Sequence, residues 1–365
     1  MKIKEIIQYL ETIAPLALQE SYDNSGLLVG NKDTEVTKVL ISLDCIEDVV
    51  QEAIDKGCNL IISHHPIIFS GLKRLNGSNY IERTVIKAIQ NNIALYAIHT
   101  NLDNVLYNGV NQKIAQKLGL ENTKILSPKG DILCKLVTFC PTANAQQVRD
   151  AIFSAGAGHI GNYNECSFNS EGIGTFKGND GATPFVGNVG EQHQEEEVRI
   201  ETVFPVYLQG AVVNALLQTH PYEEVAYDIY ALKNKHAQIG AGIIGTLSQA
   251  IDADDFLALL KNELKAEGIR YTPINKKIHK VAVCGGSGSF LLRDAIAQNA
   301  DALVTADFKY HQFFDAEDKL MIADVGHYES EQYTIELLAE ILNKKFSTFA
   351  VLFSQVNTNP IKYYK

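Results

Sequence analysis

Short apolar segments alternate with segments of helical periodicity in the first third of the chain, and this alternation constrains the fold more than any other feature. Strands are predicted at Thr37–Leu43, Asn59–Ile62 and Ile93–Ile98. Helices are predicted around residues 3–18, 46–56, 80–91 and 108–118. Because strands that alternate with helices usually pair in parallel, the pattern predicts an α/β fold whose mostly parallel sheets are flanked by helices.

The pattern changes near residue 130. Strands and helices in the order βαββαβ are predicted at 132–139, 144–155, 165–175, 198–204, 209–219 and 225–231. This order is that of a ferredoxin-like α+β module. The Gly-, Asn- and Glu-rich stretch from Gly172 to Glu197 is predicted to be a long exposed hairpin, and disorder is the alternative.

The α/β alternation resumes after residue 240. Helices and strands are predicted at 253–265, 280–284, 289–298, 302–305, 320–323, 329–343 and 348–353. We therefore expect one discontinuous α/β domain, residues 1–128 with 236–365, interrupted by an inserted module at 129–235. Insertions are tolerated at surface loops where the chain ends of a domain lie close together.

Composition excludes several classes of protein. The net charge is −11 and lysine and arginine form only short runs, so nucleic-acid binding is not expected. We expect neither export nor membrane insertion, because the first residues lack an uninterrupted apolar segment and no later stretch is long and apolar enough to span a membrane. The six cysteines lie far apart without a Cys-x-x-Cys pair. We expect a cytoplasmic protein with reduced thiols and no membrane association.

Histidines and carboxylates follow three predicted strands. His64 and His65 come directly after the strand at 59–62, and Asp103 lies in the loop after the strand at 93–98. His327 and Glu331 follow the strand at 320–323 and are four residues apart, which places them on one helical face. Ligands of open α/β sheets bind beyond the carboxyl ends of strands, so we expect these five residues to converge.

A set of imidazoles and carboxylates suits first-row divalent ions, with zinc expected first and manganese or iron as alternatives. Five donors are few for two closed sites, so a bridging carboxylate and a shared water are expected between two ions. His99, His311 and Asp44 are further candidates for the same cleft, and hydrogen-bonding or packing roles are the alternatives for them.

Two other motifs carry weaker signals. Gly285-Gly286-Ser287-Gly288 lies between a predicted strand and a helix, where its amides could bind an anion or simply form a tight turn. His220-Pro221-Tyr222-Glu223-Glu224 lies in the inserted module, and we favour a structural role for it.

In combination, these motifs resemble the GTP cyclohydrolase I type 2 homologue family of toroidal hexameric proteins with a dinuclear metal centre. The resemblance rests on Asp23–Gly30, Ser63–Pro66, His99–Asp103, Gly285–Gly288, Asp307–His311, Gly326–Tyr328 and Glu331. It implies the same five metal ligands, a homohexamer, a supporting role for His99, and an insertion similar to P-II-type signalling modules. Tyr22 stands where the family usually has tryptophan.

Three functions remain open at this stage. A metal-dependent hydrolase acting on a purine nucleotide is the leading hypothesis, since two ions that share a water supply hydroxide near neutral pH. A phosphoesterase is a second hypothesis. The third is a non-catalytic regulatory scaffold that binds a metal or a metabolite.

Overall fold

The computed structural model of the protein describes residues 1–346 and 349–364. The chain divides into two compact units, one formed by Met1–Pro128 with Gln238–Lys365 and the other by Lys129–Ala237. Among the helices in the described ranges, none is both long enough and apolar enough to cross a membrane.

The first segment of the larger unit alternates helices and strands. Its elements are α1 (Ile3–Ile13), β1 (Gly26–Val29), β2 (Val39–Ser42), α2 (Glu47–Lys56), β3 (Leu60–Ser63), α3 (Tyr80–Gln90), β4 (Ala94–Ala97), α4 (Thr100–Asp103), α5 (Val110–Lys117) and β5 (Glu121–Pro128). The helix predicted over 3–18 ends early because Pro15 disfavours a helical conformation in the residue before it. A 3₁₀ turn at Leu16–Leu18 follows.

The smaller unit contains one antiparallel sheet with two helices. Its elements are β6 (Leu133–Pro141), α6 (Ala145–Ser154), β7 (Ser167–Lys177), β8 (Gln192–Pro205), α7 (Gln209–Thr219) and β9 (Tyr227–Leu232). The strand order is β7-β8-β6-β9, and every neighbouring pair is antiparallel. Because β7 and β8 pair from Ser167↔Thr202 to Lys177↔Gln192, the stretch from Gly172 to Glu197 is a hairpin, as predicted.

The last segment completes the larger unit. Its elements are β10 (Gly240–Ile251), α8 (Ala253–Glu263), β11 (Arg270–Tyr271), β12 (Ile278–Ser287), α9 (Leu292–Ala297), β13 (Ala302–Ala306), β14 (Met321–Asp324), α10 (His327–Glu331), α11 (Thr334–Lys345) and β15 (Val351–Phe353). Short 3₁₀ helices lie at Thr142–Asn144, Val206–Leu208, Ser289–Leu291 and Tyr310–Ala316. Thr348, the first residue of the strand predicted at 348–353, lies outside the described residues.

The larger unit contains two sheets rather than one continuous sheet. The first has the order β1-β4-β3-β2-β15 and is parallel except for the β1–β4 pair. The second has the order β11-β14-β13-β12-β10-β5, in which β12, β13 and β14 are parallel and the other pairs are antiparallel. Strands β2, β3, β4 and β14 are buried along their whole length, as expected for parallel strands covered on both faces.

Strand β10 was not predicted from the sequence. Its antiparallel pairing with β12 and β5 makes the second sheet mixed rather than mostly parallel. This strand contains Gly240, Gly242 and Gly245, and glycine weakens the pattern by which a strand is recognised. Gly242 has φ +64°, and a Cβ atom there would lie 2.7 Å from the side chain of Leu291. Glycine at this position thus allows β10 to pack closely against the segment that follows β12.

Candidate metal centre

The first sheet supplies three side chains to a shared cluster. Strand β3 ends at Ser63, so His64 and His65 follow it directly. Strand β4 is parallel to β3, and the chain after it passes through His99 into the short helix α4, which ends at Asp103. The loops after two parallel strands leave the same edge of the sheet, and this brings the three predicted ligands together.

The second sheet supplies the remaining two side chains. Strand β14 ends at Asp324, and Gly326, with φ +98°, turns the chain into α10. His327 begins this helix and Glu331 ends it one turn later. Glu331 is 3% exposed, so its carboxylate is buried among the histidines.

The two carboxylate oxygens of Glu331 face two different groups of side chains. Its Oε2 lies 2.9 Å from His65 Nε2 and 3.2 Å from His327 Nε2. Its Oε1 lies 3.8 Å from His64 Nε2, which is 3.7 Å from Asp103 Oδ1. Each trio has its ligand atoms within 4.8 Å of one another and could hold a metal ion. We name them the inner trio (His64, Asp103, Glu331) and the outer trio (His65, His327, Glu331).

Among the described residues, two buried polar atoms of the inner trio have no hydrogen-bond partner, His64 Nε2 and Asp103 Oδ1. His64 is fully buried, and its Nδ1 donates a hydrogen bond of 2.8 Å to the carbonyl of Ile98, which leaves the lone pair of the neutral ring on Nε2. The 3.7 Å gap between the two atoms is too long for a hydrogen bond. It suits two ligands that each lie about 2.0–2.2 Å from one ion.

In the outer trio, each imidazole is held between two carboxylates. His65 Nδ1 lies 2.7 Å from Asp44 Oδ1, and Asp44 also accepts a hydrogen bond from Thr358 Oγ1 at 2.5 Å. Burial by itself lowers the pKa of His65, but the hydrogen bonds to Asp44 and Glu331 outweigh it and raise the pKa to about 10. The structure thus gives Asp44 an orienting role, one of the roles that the sequence left open.

His327 is held in the same way. Its Nδ1 lies 2.6 Å from Asp307 Oδ2, which follows strand β13. Burial lowers the pKa of His327, but the hydrogen bonds to Asp307 and Glu331 raise it to about 11. The side chain of His327 is 38% exposed, so this end of the cluster opens to solvent.

The carboxylates of the inner trio have opposite pKa shifts. Burial and the negative charge of Glu331 raise the pKa of Asp103 to about 7. Burial also acts to raise the pKa of Glu331, but hydrogen bonds from His327 and His65 hold it well below its usual range. The cluster therefore keeps Glu331 ionised, while at Asp103 the nearby imidazoles of His99 and His65 act to lower the pKa without outweighing burial and the charge of Glu331.

His99 lies beside His64 and His65. Its ring centroid is 5.2 Å from that of His64 and 5.3 Å from that of His65. Its Nδ1 lies 2.8 Å from Asp23 Oδ1, and the other carboxylate oxygen of Asp23 accepts a 3.0 Å hydrogen bond from the amide of Thr100. Neither Asp23 nor Asp307 was assigned a role from the sequence. Asp307 could have been identified, because it follows a predicted strand and ligands bind beyond strand ends.

The glycine-rich segment packs against the cluster and does not form an anion cradle. The amide of Gly285 donates to Asn111 Oδ1, and the amide of Gly286 donates to Ser330 Oγ, each at 2.9 Å. Gly286 has φ +59°, and a Cβ atom there would lie 2.5 Å from Glu331 Oε1. Gly285–Ser287 form the end of strand β12, whose pairing with β13 shifts register between Val283 and Ser287, so the segment is not the tight turn that was one of the two interpretations. Glycine at position 286 makes room for the shared carboxylate.

The remaining candidates lie outside the two trios. His311 is exposed, and its ring contacts Tyr310 and Phe314. In the smaller unit, His220 Nε2 donates to the carbonyl of Phe139 at 2.8 Å, and His220 Nδ1 accepts from the amide of Tyr222. His220 thus has the structural role that the sequence favoured.

Comparison with known proteins gives matches along nearly the whole chain. The family described as Duf34/NIF3 (NGG1p interacting factor 3) matches residues 1–360. A Bacillus subtilis protein named GTP cyclohydrolase 1 type 2 homolog is 41% identical, with 99% of this chain and 98% of that protein aligned. A Staphylococcus epidermidis protein of the same name is 38% identical over the full length of both chains.

Solved structures match over the same length. The crystal structure of a Bacillus cereus protein related to NIF3 has a TM-score of 0.86 and 40% identity, and covers 100% of this chain and 99% of that one. A Staphylococcus aureus crystal structure has a TM-score of 0.79 and 34% identity, with the same coverage. The resemblance seen in the sequence is therefore confirmed.

Proposed function

The chain belongs to the Duf34/NIF3 family, and from this premise we propose that it is a dinuclear metal-binding protein that acts as a metal-dependent hydrolase. One observation carries the proposal. Glu331 directs one carboxylate oxygen toward each trio, while the buried His64 Nε2 and Asp103 Oδ1 face each other without a hydrogen-bond partner in the part of the chain that the structure describes. A buried polar atom without a partner is costly, and a cation between these two atoms removes that cost.

We assign one ion to each trio and propose zinc, with manganese or iron as alternatives. Imidazole nitrogen and carboxylate oxygen are donors for all three metals. In this assignment Glu331, which belongs to both trios, would be the carboxylate that holds both ions. When bound, such an ion pair lowers the pKa of a shared water, so that hydroxide is available near neutral pH.

The protein's own residues orient the donors and leave an opening for a substrate. Asp44 and Asp307 accept hydrogen bonds from the Nδ1 atoms of His65 and His327, which directs both Nε2 atoms toward Glu331. His99 is oriented in the same way by Asp23, and its ring lies beside those of His64 and His65, where it could contact a bound substrate. The exposed edge of His327 is the side from which a substrate would enter.

For the substrate we propose a purine nucleotide such as GTP. The support is the name of the relatives, GTP cyclohydrolase 1 type 2 homolog, whose sequences align with this chain almost from end to end. Phosphoester hydrolysis is the alternative reaction, since two-ion centres also serve phosphatases.

The test combines metal analysis with two assays. Purified protein is expected to bind two zinc ions per chain, and to release formate from GTP or phosphate from a phosphoester only with metal bound. Asp103→Asn should lower turnover at least about 100-fold, because substitution of residues that only orient metal ligands already lowers activity about 10–100-fold. Asp315→Asn, an exposed carboxylate away from the cluster, is the matched control. Turnover in metal-free protein would overturn the hydrolase proposal, and metal binding without any turnover would favour the regulatory scaffold.

We also propose that the protein forms a homohexameric ring, as the sequence resemblance implies, and that it works in the cytoplasm, as its six scattered cysteines lead us to expect. The acidic net charge of −11 argues against a nucleic-acid partner. Light scattering of the purified protein tests the assembly, and a mass of one or two chains would contradict the hexamer.

A further inference from the structure

The smaller unit contains a cavity of about 720 Å³ at one end of its sheet. The walls are formed by β7, the first half of the β7–β8 loop, part of β8 and the segment after α7. Small-molecule sites usually have volumes of about 300–1,000 Å³. The cavity is therefore of a size that holds a small organic molecule.

A buried carboxylate lies in the wall of this cavity. Successive residues of β8 point to opposite faces, so Val198 and Ile200 pack in the core whereas Glu197 and Arg199 line the cavity. Glu197 is 8% exposed, and its Oε1 accepts a hydrogen bond of 2.8 Å from the hydroxyl of Tyr222. Within the described part of the chain, no Lys, Arg or His side chain lies within ion-pair distance of Glu197. A buried charge without a counter-ion is costly, and a bound cation would offset that cost.

Aromatic rings surround the same carboxylate. The ring of Tyr222, which holds Glu197, is 6.0 Å from that of Phe176 and 6.3 Å from that of Phe185. Phe139 lines the cavity from strand β6. The faces of aromatic rings attract cations, and clusters of such rings recognise alkylammonium groups.

The charges of the lining disfavour an anionic ligand. Two cations, Lys177 and Arg199, line the cavity, and Arg199 is paired with Glu201 at 2.8 Å. The carboxylates of the lining outnumber them: Glu171, Asp180, Glu197, Glu223 and Glu224. A phosphate or a carboxylate ligand would be repelled by this excess of negative charge.

We propose that this cavity binds a small organic cation, an alkylammonium or guanidinium compound with an apolar body. The charged group pairs with Glu197, and the rings of Tyr222, Phe176 and Phe185 cover the apolar part. An inorganic divalent ion fits less well, because it takes six or more oxygen ligands and gains nothing from aromatic walls. The site lies wholly within residues 139–226 and does not depend on the metal centre.

The test measures binding to the full-length protein by calorimetry with 2-phenylethylammonium and its neutral counterpart, 2-phenylethanol. We expect the ammonium compound to bind one site per chain at least about ten-fold more tightly than the alcohol. Glu197→Gln should remove most of that difference, since a charge-assisted contact is lost. Glu196→Gln is the matched control, because it removes the same charge from the neighbouring exposed position outside the cavity.

A second variant distinguishes a specific loss of ligand binding from a loss of folding. Phe185 is 55% exposed, so Phe185→Leu should keep the wild-type melting temperature while weakening ammonium binding about three- to five-fold. Equal binding of the alcohol and the ammonium compound would overturn the proposal, as would tighter binding of ATP than of either compound. Unchanged ammonium binding in a well-folded Glu197→Gln protein would also overturn it. Removal of metal by a chelator should leave this binding unchanged.

Discussion

The two halves of the metal cluster share Glu331 but differ in how their polar atoms are satisfied. In the inner trio, His64 is fully buried, and its Nε2 and the Oδ1 of Asp103 have no hydrogen-bond partner within residues 1–346 and 349–364. In the outer trio, each imidazole contacts two carboxylates, and His327 is partly exposed. The unpaired atoms of the inner trio therefore favour the binding of a cation. In the outer trio, protons on the two imidazoles can supply the same positive charge.

This difference sets the charge state of each half, although the pKa values of His65, His327 and Asp103 are all raised. The imidazoles of His65 and His327, with pKa raised to about 10 and about 11, are protonated in metal-free protein near neutral pH, so their charges take the place of a metal ion. At Asp103 the nearby imidazoles of His99 and His65 act to lower the pKa, but burial and the negative charge of Glu331 outweigh them and raise it to about 7. Binding of an ion in the inner trio should therefore offset the cost of its unpaired buried atoms. Binding in the outer trio should displace protons from His65 and His327.

Removal of the shared carboxylate is expected to have the largest effect. Glu331→Gln should abolish binding of both ions and lower the free energy of unfolding of metal-free protein by about 3–5 kcal/mol, because two protonated imidazoles lose a buried partner. Metal analysis and urea unfolding measure the two effects.

The control for this change is Glu336→Gln, an exposed partner of Lys117, which should cost no more than about 1 kcal/mol. If one ion per chain still bound tightly to the Glu331→Gln protein, the two halves would be independent and the comparison would fail.

A change beside the shared carboxylate is expected to have the next largest effect. In Gly286→Ala, the new Cβ would lie 2.5 Å from Glu331 Oε1 and the backbone would remain at φ +59°, so we expect a loss of about 2–4 kcal/mol.

Gly57→Ala provides the matched control in the same unfolding experiment. Its φ is +67°, and a Cβ atom there would meet nothing within 4 Å, so it reports backbone strain alone, about 1 kcal/mol. Equal losses in the two variants would mean that Glu331 moves away without cost.

The third prediction has the opposite sign. Asp103→Asn should raise the free energy of unfolding of metal-free protein by about 1–2 kcal/mol at pH 8, because it removes a charge whose burial the nearby imidazoles do not offset. The pKa of Asp103 is raised above its unfolded value of about 3.8, so the cost of this charge is present above about pH 7 and declines as the pH falls toward 4.

The stability advantage of Asp103→Asn should therefore disappear below about pH 4, and its metal content should fall from two ions to one. A lower stability than wild type in chelated protein at pH 8 would contradict the assignment of an uncompensated charge to the inner trio.

The smallest expected effect is the release of protons on metal binding. Calorimetry in buffers of different ionisation enthalpy should detect about one to two protons released per chain at pH 8, since the Nε2 atoms of His65 and His327 must lose protons to bind metal. His327→Gln should reduce this number by about one.

The same shifts predict how stability depends on pH. Because the folded-state pKa values of His65 and His327 lie above the unfolded value of about 6.5, their contribution in metal-free protein is complete below pH 6.5 and is lost as the pH rises through about 10–11. Metal binding without proton release would show that both imidazoles are neutral before binding.

Much of the cluster could be predicted because its residues occupy local positions that strand patterns reveal. His64, His65 and His327 each follow a buried strand, and the spacing of His327 and Glu331 indicates one helical face. The orienting carboxylates were harder to identify. Asp23 follows no predicted strand, and its contact with His99 joins residues 76 positions apart.

The sequence by itself determined which side chains could serve as ligands and at which strand ends they lie, because strand and helix periodicity are local properties. Only the tertiary structure decided that two separate sheets contribute to the cluster and that Glu331 turns one oxygen toward each trio. The contact between His65 and Glu331 spans 266 positions, and the strands before these residues belong to different sheets. Such a contact depends on how the two sheets pack, and no local pattern carries that information.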